Sequence, residues 1–223
     1  MSLPASHPRL FKRAYSPGEL VADGFVHAAA LIAGVIAFSL LFLKAPLRGG
    51  IGEGLAMAVY AAGFFLMFGF SLAYNMTPNS PLKWFLRRCD HSAIYLMIAG
   101  TYTALLSQIP DSLWAIALAA FVWSGALVGV ALKVFLPGRF DRIETGVYLA
   151  LGWSAIIAIR PLALALPAPT LALIVIGGLI YSVGVAFYLW HSLKFQNAIW
   201  HACVALAAAC HFAGVAWALG QAA

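Results

Sequence analysis

The chain is 223 residues long, 64% apolar and only 9% charged, with a formal net charge of +6 and a mean hydropathy of +0.94. A soluble domain carries about 25% charged residues, so a surface this poor in charge excludes a soluble enzyme or a soluble nucleic-acid binder. The excess of Lys and Arg falls in small scattered groups, which in a membrane protein reports topology rather than a polyanionic partner.

Residues 1–18 are polar and basic, with Arg9, Lys12 and Arg13. They lack the short apolar core and small-residue cleavage site of a secretory signal, so the first apolar stretch is expected to be retained as a helix. About twenty apolar residues cross a bilayer, and the chain supplies seven such stretches: 20–43, 51–75, 90–107, 112–135, 142–160, 170–190 and 199–220. Between them lie connectors carrying Pro46, Gly49 and Gly50, then Pro78 and Pro81, Pro110, Pro137 and Gly138, Pro161 to Pro169, and Lys194 to Asn197. Strands of a membrane barrel are about 10 residues long and alternate in polarity, which stretches such as 113–132 do not. The expected fold is all-α: an integral membrane bundle of seven transmembrane helices in one domain over 19–221, after a polar segment at 1–18.

In chain order, span one opens with Asp23 and His27, span two closes with Ser71 and Asn75, and span three opens with Asp90 and His91. Asp141 and Glu144 open span five and read as ordinary partners of a helix N-terminus, with Arg139 and Arg142 beside them. His191 closes span six as an interfacial side chain, and Asn197 and His201 open span seven. His211, about 15 Å deeper than His201 at the helical rise, reads as a packed histidine with one hydrogen bond. Cys89, Cys203 and Cys210 form no CxxC pair and read as buried, reduced thiols.

Loop charge orients the bundle. Ten of the thirteen cations (Arg9, Lys12, Arg13, Lys83, Arg87, Arg88, Lys133, Arg139, Arg142 and Lys194) fall on one side, against Lys44, Arg48 and Arg160 on the other. The N-terminus is therefore expected in the cytoplasm and the C-terminus outside. That orientation gathers nearly every polar side chain of the spans in the inner leaflet; the outer halves hold little beyond Glu53 and Asp111. Intramembrane polar groups are costly and mark functional sites by default, and residues four apart share a helix face. The expected pocket comprises Ser71, Asn75, Asp90, His91, Asn197 and His201, with the carboxamides satisfying Asp90 and His201 as donors and acceptors.

The strings SLAYN (Ser71 to Asn75), RRCDHSAIYLMIAGTYT (Arg87 to Thr103) and NAIWHACVALAAACHF (Asn197 to Phe212) resemble the hemolysin III branch of the progestin and adipoQ receptor family. ADGFVHAAALIAG (Ala22 to Gly34) and GGLIYSVGVAFY (Gly177 to Tyr188) are similar to its first and sixth spans. The resemblance implies seven helices with a cytoplasmic N-terminus and an inner-leaflet zinc. That zinc is held by a His ending span two and two His four apart opening span seven. A Ser one turn before the first His, and an Asp of span three acting through water, complete the motif. The arrangement is associated with hydrolysis of ceramide-like lipid amides. Here the Ser matches as Ser71, the Asp as Asp90 and the last His as His201, but Asn75 and Asn197 stand at the other two ligand positions. A neutral carboxamide is a weaker zinc ligand than imidazole. The expectation is thus a degraded ligand set and no resident cofactor. If zinc were held, His201 is its ligand, with His27 or His91 as helpers.

Function is read as membrane-lipid or envelope homeostasis in a bacterial inner (plasma) membrane, with a membrane lipid or small amphiphile as partner. Neither nucleic acid nor nucleotide is expected, since GGIGEG at Gly49 to Gly54 opens a span. Two alternatives stand beside it. One is a zinc-dependent lipid amide hydrolase in which Asp90 orients or deprotonates a water and Ser71 steadies the oxyanion. The other is a pore-forming cytolysin, against which the lack of a continuous charged stripe speaks.

Overall fold

A computed structural model of the protein describes residues 15–44, 50–109, 113–137, 139 and 141–221, and the elements among them are helical. In chain order they are α1 (Pro17–Lys44), α2 (Gly50–Met76), α3 (Pro81–Leu106), α4 (Leu113–Phe135), α5 (Asp141–Gly152), a 3-10 segment (Trp153–Ala158), α6 (Ile159–Ala165), α7 (Ala168–Leu189) and α8 (Gln196–Gln221). Asp111 and the N-terminal basic residues lie outside the described residues.

Helix starts are set by side-chain caps. At α1, Glu19 Oε2 accepts the Ser16 N–H at 3.0 Å, while Ser16 Oγ accepts the Glu19 N–H at 3.4 Å. This is a reciprocal capping box with Pro17 at the first helical position. At α3, Ser80 Oγ accepts the Lys83 N–H at 3.2 Å and Pro81 follows. The helix that carries the third expected span therefore starts at Pro81, nine residues before Asp90. Lys83, Arg87 and Arg88 belong to its first turns instead of a loop, because Lys and Arg are good helix formers. Lys83 Nζ also reaches back to the carbonyls of Tyr74 at 2.9 Å and Thr77 at 2.7 Å, capping the end of α2.

The fifth expected span, 142–160, is broken and longer. α5 gives way to the 3-10 segment, and the chain remains helical to Ala165, since Pro161 falls in the first turn of α6, where its missing N–H leaves no bond unmade. Tyr102 anchors the break: its hydroxyl donates to Gly152 O at 2.8 Å and accepts the Ala155 N–H at 2.8 Å.

Among the described residues, six helical stretches are long and apolar enough to cross a membrane: Pro17–Leu43, Gly50–Met76, Leu113–Phe135, Ile143–Ala165, Ala168–Leu189 and Gln196–Gly220. α3, of 26 residues and about 39 Å at the helical rise, is more polar. Its position explains that: it packs on α2, α4, α5 and α8, so little of it needs an apolar, lipid-facing surface.

The helices follow one another around the bundle as α7, α8, α1, α2, α3, α4 and the α5–α6 rod; α5 closes only lightly on α7. α2 and α3 approach at reciprocal glycines. A Cβ on Gly63 would stand 3.0 Å from Leu96 O, and one on Gly100 would stand 3.1 Å from Val59 O, the small-residue crossing that lets membrane helices meet closely. Thr170 Oγ1 donates to Gly214 O at 3.0 Å and pins α7 to α8. The perimeter carries bare apolar side chains such as Leu43, Ile51, Leu113 and Leu164, as a lipid-facing surface requires. The three cysteines are free and half-buried rather than buried, a correction with a simple reason: in lipid an apolar thiol gains little by turning inward.

Candidate functional site

The first turns of α1, the last turn of α2 and the first turns of α8 meet at one end of the bundle, and their polar side chains form a continuous network. Asp23 is the hub. Its Oδ1 accepts from His201 Nδ1 at 2.6 Å and its Oδ2 from Asn197 Nδ2 at 3.2 Å. Asn197 Nδ2 also donates to Asn75 Oδ1 at 3.0 Å. Asn75 in turn donates to Ser71 O at 2.9 Å and to Ser71 Oγ at 3.3 Å, and Ser71 Oγ lies 3.4 Å from His201 Nε2. His27 Nδ1 donates to the backbone oxygen of Asp23 at 2.8 Å. Its ring sits edge-on to that of His201, with centroids 4.3 Å apart.

The i, i+4 spacing of each pair produces this convergence: Asp23 and His27 on α1, Ser71 and Asn75 on α2, Asn197 and His201 on α8. Asp23 and His27 are fully buried, at 1% and 0% exposure. Another anchor lies just beyond: Glu19 Oε1 accepts the Phe195 N–H at 3.0 Å. It thereby ties the start of α1 to the residue before α8, whose φ of 59° is left-handed.

Of the residues expected to share a pocket, Ser71, Asn75, Asn197 and His201 are joined in this network. Asp90 and His91 line the same cavity as those four, but His91 belongs to a second cluster. Its Nδ1 is 2.8 Å from Glu144 Oε1, Lys133 Nζ is 2.6 Å from Glu144 Oε2, and the Tyr148 hydroxyl bonds both Glu144 and, at 2.8 Å, His91 O. Nδ1 of His91 is thus directed to Glu144 rather than to His201. Glu144 is likewise not an ordinary helix-start residue. It is buried beside Lys133, and that pairing also removes Lys133 from its expected loop. His211 does pack as expected, its Nε2 within 3.1 Å of Ile174 O, and His191 is exposed.

The residue that sequence reasoning missed as a member of the network is Asp23. Its signal was present: an acid inside a span is a functional candidate by default, and it sits four residues from His27. Only the packing of α1 against α8 could bring it to His201.

Both clusters open on one cavity of about 260 Å³. Its polar end carries Ser71, Asn75, Asp90, Asn197 and His201; the far end is walled by Leu105, Leu118, Leu162, Leu166 and Leu171. Between the 3-10 segment and α7 it reaches the perimeter, where Ile156, Ile159 and Val175 both line it and are exposed. Trp153 Nε1 crosses that gap to Ser182 Oγ at 3.0 Å.

The zinc arrangement implied by the resemblance does not fit these residues. Positions 75, 197 and 201 offer one imidazole and two carboxamides, and the carboxamides are bonded to each other. A hydrolytic zinc site needs three good protein donors. A different trio, Asp23, His27 and His201, offers ligand atoms lying within 4.8 Å of one another, all from buried residues.

Comparison with known proteins agrees with the architecture. Residues 19–212 match the family described as "Haemolysin-III related". The chain is 34% identical over 186 residues to the "Hemolysin-3 homolog" of Bacillus subtilis (strain 168), covering 83% of this chain and 87% of that protein. It is 35% identical over 183 residues to "Hemolysin-3" of Bacillus cereus, covering 82% and 84%. With the human "Monocyte to macrophage differentiation factor" it shares 26% identity over 200 residues, 87% of this chain and 82% of that protein. The chain is an integral, multi-pass membrane protein belonging to the hemolysin III branch of the progestin and adipoQ receptor family.

Proposed function

We propose that this protein holds a membrane amphiphile in its cavity, with the headgroup against the Asn75–Asn197–His201 network and the chain toward the leucine-lined end, and that it serves membrane-lipid or envelope homeostasis in a bacterial plasma membrane. In this reading α3 is the seventh span, the N-terminus is cytoplasmic and the network lies in the inner leaflet. The basic residues Lys83, Arg87, Arg88, Lys133 and Lys194 support that orientation, since all lie at the helix ends nearest the network.

One observation carries the proposal: the cavity gathers Ser71, Asn75, Asp90, Asn197 and His201 at one end and is mainly apolar along the rest of its length. Its volume of about 260 Å³ is close to the lower limit of small-molecule pockets, about 300 Å³. The side opening beside Ile156, Ile159 and Val175 suits a ligand arriving from the bilayer. Ser71, Asn75, Asn197 and His201 hydrogen-bond one another in a chain, so this face of the network can stand against a headgroup without an ion.

The test is lipid analysis of the full chain purified in a mild detergent. The expected result is one amphiphile class enriched over its share of the source membrane and depleted by Val204→Trp, which fills the cavity where Val204 lines it. Ile98→Trp is a second cavity-filling variant. Bound lipid that mirrors the bulk membrane and is the same in wild type and both variants would overturn the reading.

A further inference from the structure

Asp23 is a buried acid at the centre of the network. It is 1% exposed, and among the described residues its side-chain partners are His27, Asn197 and His201, none of them Lys or Arg. A buried carboxylate needs a cation or a full set of donors.

Nδ1 of His27 faces a backbone carbonyl, the oxygen of Asp23, at 2.8 Å. A carbonyl only accepts, so Nδ1 carries the proton and Nε2 holds the lone pair. That Nε2 is buried and has no hydrogen-bond partner. A histidine whose one nitrogen donates to a backbone carbonyl while the other is left bare is oriented as metal-ligating histidines are. The His27 ring, the Asp23 carboxylate and the His201 ring each offer a ligand atom, and these atoms lie within 4.8 Å of one another.

We propose that Asp23, His27 and His201 form a site for a divalent transition-metal ion of the zinc class, clamping α1 to α8. Two imidazoles and one carboxylate favour zinc, cobalt or nickel over magnesium or calcium, which prefer oxygen donors throughout. The site shares only His201 with the arrangement that the family resemblance implies, and α2 contributes no ligand. The Asn197–Asn75 hydrogen bond ties α2 to α8 in place of imidazoles around an ion. The ligand set has moved by one helix, and Asn197, bonded to Asp23 Oδ2, orients the carboxylate. The proposal does not depend on what occupies the cavity.

Metal content of the full chain tests it. Protein purified in mild detergent is incubated with zinc, desalted and measured by mass spectrometry of the elements. The expected result is about one zinc per chain, at least about tenfold lower retention in Asp23→Asn and in His27→Gln, and unchanged content in the exposed control His191→Gln. Zinc should also raise the unfolding temperature of the wild type but not of His27→Gln, a readout that separates metal binding from failure to fold. Wild type that retains no zinc overturns the proposal. So does zinc retained in full by monodisperse His27→Gln, or zinc lost on Asn75→Ala while His27→Gln keeps it.

Discussion

His201 and Asp23 stand 178 positions apart in the chain, and their side chains meet at 2.6 Å, Nδ1 to Oδ1, inside the bundle. The contact joins the first helix to the last, so it reports the closure of the bundle as well as the make-up of the site. Removing one partner of a buried hydrogen bond leaves the other unsatisfied and costs about 1–3 kcal/mol. Asp23→Ala should therefore lower stability by that order, and His201→Ala should add much less on top of it. Thermal unfolding of the two single variants and the double variant in one detergent measures the coupling directly.

A second buried pair, Lys133 and Glu144 at 2.6 Å, makes a different prediction. Glu144→Ala removes the acid paired with the buried Lys133 and should cost about 3–5 kcal/mol, whereas the paired replacement Lys133→Met with Glu144→Leu should recover most of that loss. Unfolding midpoints check it; equal loss in the single and double variants would show that Glu144 acts through His91 and Tyr148 instead.

Much of this was legible from the residues, and the limits have physical causes. The helices, the membrane setting and the meeting of Ser71, Asn75, Asn197 and His201 follow from hydropathy and i, i+4 spacing, which are local properties. Boundaries differ where caps decided them: S-P-G-E at the start of α1 carries a capping-box signal that hydropathy ignores, and Ser80–Pro81 starts α3 ahead of Lys83, Arg87 and Arg88. Glu144 and Lys133 were misplaced because each is a surface residue by type, and only the packing of α4 on α5 and α3 pairs them. Asp23 was seen as polar but not as a hub, since which helices are neighbours is a tertiary fact.

The missing imidazoles should be restorable. In a His27→Gln background, which lacks the proposed third ligand, Asn75→His with Asn197→His should regain about one zinc per chain, because three imidazoles then face one point from α2 and α8. Elemental analysis checks this. No regain would show that positions 75 and 197 no longer converge as their 3.0 Å hydrogen bond requires.

Topology is equally open to measurement. With seven spans and a cytoplasmic N-terminus, a periplasmic alkaline phosphatase fused after Gln221 should be active, and a fluorescent protein fused there should stay dark. The reverse pattern would put the C-terminus in the cytoplasm and contradict this topology.

The most direct measurement of the central claim is site-mapped photolabelling. A long-chain fatty acid bearing a diazirine is incorporated into membranes containing the full protein, irradiated, and the adducts are located by peptide mass spectrometry. An amphiphile seated in the cavity predicts adducts on inward residues such as Ile98, Leu149 and Val204, reduced in the cavity-filling variant Val204→Trp. Adducts confined to perimeter residues such as Leu43, Ile51 and Leu164, at equal levels in wild type and variant, would contradict it.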